Sequence, residues 1–285
     1  MKLKKGIKKT EWLIFLFPSL IGTTIFVFIP FLDMFRRSFY NVMADDFVEF
    51  TNYAIILKNQ AFLLAITNTI KFILCCIPLL IVVSFGIALF ISNMKCMDYF
   101  KSILLLPMAM PTATLVLIWQ MLFDDYGVIN GILAGIGADR ISFLGSDAAL
   151  GILVGSYIWK NLGYTVVLWL SGIMGISEDI INAAKVDGAS TIVCIYKIIL
   201  PNLKNCFFTV LLISFLNSCK VFREAYLVSG SYPHESIYMI QHLFNNWFVN
   251  FEINKIAAAT VILFIVLFVV ILFIQLRKLK GDDDE

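Results

Sequence analysis

Charge is scarce in this chain. Only 15% of its 285 residues are Asp, Glu, Lys or Arg, while 60% are hydrophobic and the mean hydropathy is +0.88. A water-soluble domain carries about a quarter charged residues, so water is excluded as the sole solvent for this much apolar surface. Histidine is rarer still: His234 and His242 are the only two, eight residues apart in one loop between apolar runs. No Ser/His pair and no metal-ligand spacing lies within the apolar segments, which argues against an intramembrane enzyme. A G-x-x-x-x-G-K-[ST] phosphate loop is also missing, which predicts no ATPase site in this chain. Internal repeats, the usual mark of secondary transporters, are not found either. The net charge of +2 is too small to suggest nucleic acid. Cys75, Cys76, Cys96, Cys194, Cys206 and Cys219 show no metal spacing and predict small apolar packing residues rather than a disulfide framework.

What is present is a series of long apolar runs. About 20 apolar helical residues cross the ~30 Å hydrocarbon core of a bilayer. Six segments qualify: Trp12 to Leu32, Ile70 to Ser92, Ile103 to Phe123, Ala148 to Ile173, Leu203 to Leu227 and Ile256 to Leu276. The expected fold is therefore all-α, a polytopic membrane protein with six transmembrane helices. Residues 1–11 form a basic N-terminal segment, 12–276 the six-span domain with a loop at 177–201, and 277–285 a tail. Pro18 and Pro30 within the first run, and the lack of a small-residue cleavage site before Arg36 and Arg37, argue against a signal peptide.

Lys and Arg set the expected orientation. One side collects 13 of them, including Lys2, Lys4, Lys5, Lys95, Lys185, Lys204 and Arg277, and the other side collects five. The positive-inside rule then places both termini in the cytoplasm.

Prolines and charges within the spans are candidate functional features. Pro107 and Pro111 are four residues apart on one expected helix face, a doubly kinked helix that serves either gating or packing. Lys160, with Asn161 and with Tyr164 one turn on, is placed to line a polar pathway. Asn217, Lys220 and Glu224 recur along one face of the fifth span, where Lys220 and Glu224 are spaced for an ion pair. Lys220 has a second reading, snorkelling to the interface with Arg223. The run Ser236–Phe251 has Ile237, Ile240, Phe244 and Trp247 at helical spacing. It is either a helix that meets a partner or one that rests on lipid headgroups. Trp119, Phe123 and Tyr126 suit an aromatic belt.

The most informative stretch is Ser177–Pro201. Ser177 is a helix cap ahead of Glu178 and Asp179, which favour a helix start. Ala183 and Ala184 leave a close-approach surface, Gly188 permits a sharp turn after Asp187, and a second helical stretch runs to Leu200. Pro201 then opens the next span. The expected element is a bent pair of short helices at the membrane surface, able to dock in a partner's groove.

This stretch resembles the EAA motif of binding-protein-dependent ABC importer permeases: E-A-A, three residues, G, nine residues, I-x-L-P. Ala183, Ala184, Gly188, Ile198, Leu200 and Pro201 fall in register, and Asn182 stands where the pattern has Glu. Tyr126-Gly127-Val128-Ile129-Asn130, Phe143-Leu144-Gly145, Trp159-Lys160-Asn161-Leu162-Gly163, Asp187-Gly188-Ala189-Ser190 and Lys220-Val221-Phe222 resemble segments of the carbohydrate class of these permeases. Ser229-Gly230-Ser231-Tyr232-Pro233 departs from its T-G-G-G-P. The resemblance implies a type I importer permease in which Asn182, Ala183, Ala184, Asp187, Gly188, Ala189, Leu200 and Pro201 couple to an ATPase. It further implies two ATPase subunits that carry ATP and Mg, a second permease subunit and an extracytoplasmic solute-binding protein, with no cofactor in this chain. The alternative is a secondary transporter for a small polar solute.

Overall fold

A computed structural model describes residues 11–41 and 46–282. The basic segment 1–10 and the last residues of the acidic tail lie outside the described residues. The described residues divide into two compact units, those up to Asn59 with 246–267, and 60–245 with those from Phe268 onward.

In the first unit, α1 (Glu11–Thr23) runs through a π-turn (Thr24–Phe28) into α2 (Ile29–Arg37). Leu16–Arg37 is apolar and long enough to span a membrane, and none of its residues is buried within the chain. After it, β1 (Tyr40–Asn41) pairs with β2 (Asp46–Phe47) in a short antiparallel hairpin. Helix α3 (Thr51–Leu57) is tied back by the buried Asn52, whose Nδ2 donates to the carbonyls of Ser38 and Tyr40.

The second unit is built on α4 (Gln60–Ser92), α5 (Met97–Ala109), α6 (Thr112–Phe123), α7 (Val128–Gly135) and α8 (Ala148–Met174). Beyond them come α9 (Glu178–Val186), α10 (Thr191–Cys194), α11 (Leu200–Asn202), α12 (Lys204–Ser218) and α13 (Phe222–Ser229). Two helices cross the unit boundary, α14 (Ile240–Val249) and α15 (Ile253–Asp282). The core lies between α4, α8 and α12, where Ala88, Val166, Trp169, Leu170, Leu203 and Val210 are buried together. The Trp169 indole is satisfied by Ser84 Oγ at 3.1 Å, so the largest side chain of this core carries no orphaned donor. Gly163 on α8 lies against the backbone of α5. A Cβ there would stand 1.8 Å from the Leu104 carbonyl oxygen, so only glycine permits the approach.

Among the described residues, four helices can cross a membrane unbroken, and two bent pairs raise the number to six. The fold is thus an all-α polytopic membrane protein, with several boundaries moved. Helix α4 begins ten residues before the expected Ile70. The third span is not one kinked helix. Its two halves, Met97–Ala109 and Thr112–Gly135, are bent by 90°. Pro107 stays inside α5, while Pro111 caps α6, so the two prolines do not share one helix face. The cause is local: the residue before a proline is driven out of the helical region, and Met110 sits at φ −74, ψ 138. Helix α8 meets α9 at a 70° bend.

Candidate functional site

The 177–201 element is built by its caps. Ser177 Oγ accepts the Asp179 N–H at the start of α9, with Glu178 and Asp179 in the first turn and Lys185 in the last. At the other end the Gly188 N–H bonds the Lys185 carbonyl, and the Ala189 N–H bonds the Ala184 carbonyl. That is a Schellman closure, which needs a left-handed residue after the helix, and Gly188 supplies it at φ 83. Ser190 Oγ accepts the Val193 N–H and starts the second helical stretch. This stretch widens into a π-turn over Ile195–Ile199, where the Leu200 N–H reaches the Ile195 carbonyl. Pro201 has no N–H to offer Lys197, so the ladder shifts ahead of it. Pro201 belongs to the short helix α11, and the span itself starts one turn later, at Lys204.

The result is a projecting knob with an apolar surface. Val186 is 88% exposed and Ile192 and Tyr196 are each 68% exposed. Asn182, Ala183, Asp187 and Gly188 are exposed as well, whereas Ala184 and Ala189 are half-buried. Asn182 lines a cavity of about 1140 Å³ between this knob and the ends of α4, α5 and α8, with Glu178, Lys185, Asn93, Met94 and Met97.

A second cluster lies within the spans. Lys160 on α8 pairs with Glu224 Oε1 on α13, and its ammonium reaches Thr112 Oγ1 on α6 at 3.4 Å. Asn161 donates to the Tyr157 carbonyl and accepts from Asn217 on α12 at 3.3 Å. Tyr157 OH in turn donates to the Ser214 carbonyl at 2.6 Å. One lysine and one asparagine of α8 therefore bind α6, α12 and α13 together. Tyr164 is half-buried one turn further along α8.

The expected Lys220–Glu224 pair does not form. The backbone tightens over Cys219–Glu224, where the N–H groups of Lys220, Val221, Arg223 and Glu224 each bond three residues back rather than four. The change of winding leaves Lys220 and Arg223 exposed and turns Glu224 inward to Lys160. Lys220 leaves the candidate pathway set, and Thr112 joins it. The tightened turn also frees the Cys219 carbonyl, which accepts from Gln241 Nε2 at 2.9 Å. Interrupted helices of this kind are typical of functional positions in membrane proteins.

The aromatic residues near this cluster are packed against each other. Trp119 stacks on Phe123 at 5.7 Å and meets the Trp159 ring edge-on at the same distance. Tyr126 is exposed beneath the Arg140 guanidinium. Asn130, from the Tyr-Gly-Val-Ile-Asn segment, is buried as a structural clasp. Its amide bonds the carbonyls of Asp124 and Ile141 and the N–H of Ile141.

The 236–251 run is not a helix resting on headgroups at its start. Asn68 of α4 donates to the carbonyls of Glu235 and Tyr238, and Thr69 accepts the Ile240 N–H. His242 is wholly buried among Phe222, Tyr226 and Tyr238, and its Nδ1 accepts the Met239 N–H. Burial disfavours the imidazolium and pushes the His242 pKa down from its ordinary 6.5 to about 4. The contribution of this residue to stability is therefore full above pH 6.5 and is lost as the pH falls toward 4, because the unfolded chain takes up the proton first. The thermal midpoint of the purified protein is expected to fall as the pH drops through that window, and His242→Phe is expected to flatten this part of the profile. An unchanged profile in the variant would contradict the buried neutral ring.

Comparison with known proteins decides the family. The model of the binding-protein-dependent transport system inner membrane component matches residues 81–279. The chain belongs to this family. It is 26% identical to the trehalose/maltose transport system permease protein of Thermococcus litoralis, over 99% of this chain and 98% of that one. It is also 26% identical to the arabinooligosaccharides transport system permease protein of Bacillus subtilis, over 92% of this chain and 87% of that one. A chain of the bacterial alginate ABC transporter, solved in complex with an alginate pentasaccharide-bound periplasmic protein, superposes with a TM-score of 0.79. That match covers 93% of both chains at 24% identity. As an inner membrane component of a binding-protein-dependent system, the chain is not a secondary transporter. The 177–201 knob and the whole intramembrane cluster lie within the matched span.

Proposed function

We propose that this chain is one of two permease subunits of an ATP-driven importer for a sugar or oligosaccharide, coupled through the 177–201 knob. The observation that carries this is the capped, glycine-closed helix α9 with its uncovered apolar surface of Val186, Ile192 and Tyr196. An apolar knob of this size on a rigid bent stem is suited to a groove on another protein. Two ATPase subunits would hold the ATP and Mg, and a second permease subunit and an extracytoplasmic solute-binding protein would complete the assembly. Both termini and the knob would face the cytoplasm, where the excess of Lys and Arg gathers. Closure of the ATPases would push α9–α11, and the spans would reorient to expose Lys160, Asn161, Tyr164, Asn217 and Glu224 alternately to either side. The relatives named for trehalose/maltose and arabinooligosaccharides support the substrate class.

The test is the assembly itself, purified through a tag on this chain. Val186→Asp, which places a charge in the docking surface, is expected to cut ATPase co-purification and solute uptake by about tenfold or more. The yield of the chain should stay unchanged, because Val186 is exposed. Full co-purification with full uptake in the variant would remove the knob from the coupling path.

A further inference from the structure

Resting on the permease reading above, we infer that the intramembrane cluster selects uncharged polyhydroxyl solutes and rejects anionic ones. Glu224 is the one formally charged side chain that is buried among the described residues, at 7% exposure. Its partner Lys160 neutralises it through Oε1, so the cluster has both signs of charge and no net charge. Lys71, Lys220 and Arg223, the other basic residues of the expected spans, are exposed, and Glu224 pairs with Lys160 rather than with them.

The hydrogen-bonding capacity left over is equally two-sided. Lys160 has three N–H donors and spends two on Glu224 and Thr112. Glu224 Oε2 is buried with no partner, and so is the Trp119 indole N–H. A buried carboxylate oxygen without a donor costs free energy, which makes it a standing acceptor for a group that enters when the spans rearrange. A sugar hydroxyl serves both needs, because it donates to Oε2 and accepts from Lys160. Trp119 and Trp159, which meet edge-on, belong to α6 and α8, the helices that also carry Thr112 and Lys160, and aromatic rings on these helices suit the apolar face of a pyranose. A carboxylate or phosphate on the solute meets the opposite situation. The single nearby cation is already compensated, and Oε2 repels a second anion in a low-dielectric setting.

The experiment uses the assembled importer in detergent without its solute-binding protein, so that only the membrane part discriminates. Binding is read from tryptophan fluorescence, with Trp119→Phe to identify the reporter. The probes are neutral trisaccharides (maltotriose, xylotriose, arabinotriose and raffinose) and the acidic trigalacturonate. At least one neutral probe is expected to bind, with trigalacturonate weaker by about tenfold or more, as one unfavourable charge contact costs over 1.4 kcal/mol. Glu224→Gln, which frees the Lys160 charge while keeping the shape, is expected to narrow or reverse that ratio. Equal binding of neutral and acidic probes to the unaltered importer would overturn the charge selection and leave the pathway intact. Binding of none of the probes would overturn the pathway together with it.

Discussion

Gly163→Ala is expected to abolish the folded permease. The new methyl carbon would lie 1.8 Å from the Leu104 carbonyl oxygen and 2.3 Å from its carbon. Ordinary carbon–oxygen contacts are about 3.4 Å, so α5 and α8 must part by roughly 1.5 Å. Both colliding atoms belong to backbone, and no rotamer change relieves them. Overpacking of a well-packed core costs about 1–3 kcal/mol or more, and here the separation would also pull Lys160 and Asn161, half a turn to one turn away, off their partners. The measurement is yield and thermal midpoint by size-exclusion chromatography. Gly151→Ala and Gly155→Ala are the controls on the same helix, because neither Cβ meets anything within 4 Å. A Gly163→Ala protein as stable as the controls would contradict the close approach.

The second large effect concerns the pair between α8 and α13. Glu224→Ala leaves the Lys160 ammonium with Thr112 as its hydrogen-bond partner. Removing one member of a buried pair costs about 3–5 kcal/mol, while replacing both by apolar groups of similar size is often neutral. Lys160→Met and Glu224→Leu together are therefore expected to recover most of the stability lost in either single variant. Uptake should not recover, because the double variant lacks the charged pair that meets the solute hydroxyls. A double-mutant cycle on thermal stability checks this. Strict additivity of the two single effects would mean that the pair is not formed.

What was legible in the sequence followed from local chemistry. Ser177, the acidic first turn and Gly188 specify both ends of α9 within a dozen residues, and the structure shows those caps. The apolar runs were long enough to mark the spans, because a bilayer-crossing helix needs about 20 residues whatever its neighbours do. The break between α12 and α13 had no such signal. No proline or glycine stands between Phe215 and Glu224. The tightened turn is held instead by Gln241, 22 residues away, and by Lys160, 64 residues from Glu224. The bend at Met110 was half legible: the prolines announced a disturbance, but periodicity alone does not distinguish a kink from an end. Nothing in the sequence around His242 marks it for burial, since a polar ring in a loop ordinarily faces water. Its burial rests on one backbone N–H three residues earlier in the chain and on aromatic rings contributed by α13 and Tyr238.

Helix α4 has 33 residues, roughly 50 Å at 1.5 Å per residue, against about 30 Å of hydrocarbon. Its first ten residues therefore stand clear of the lipid tails as a mast, and Asn68 and Thr69 at the foot of that mast hold the chain that leads into α14. The height of that platform above the bilayer is set by protein rather than by lipid. A thinner membrane would tilt α4 and a thicker one would straighten it, and either change would reach Gln241 and His242 through the bond between Thr69 and the Ile240 N–H.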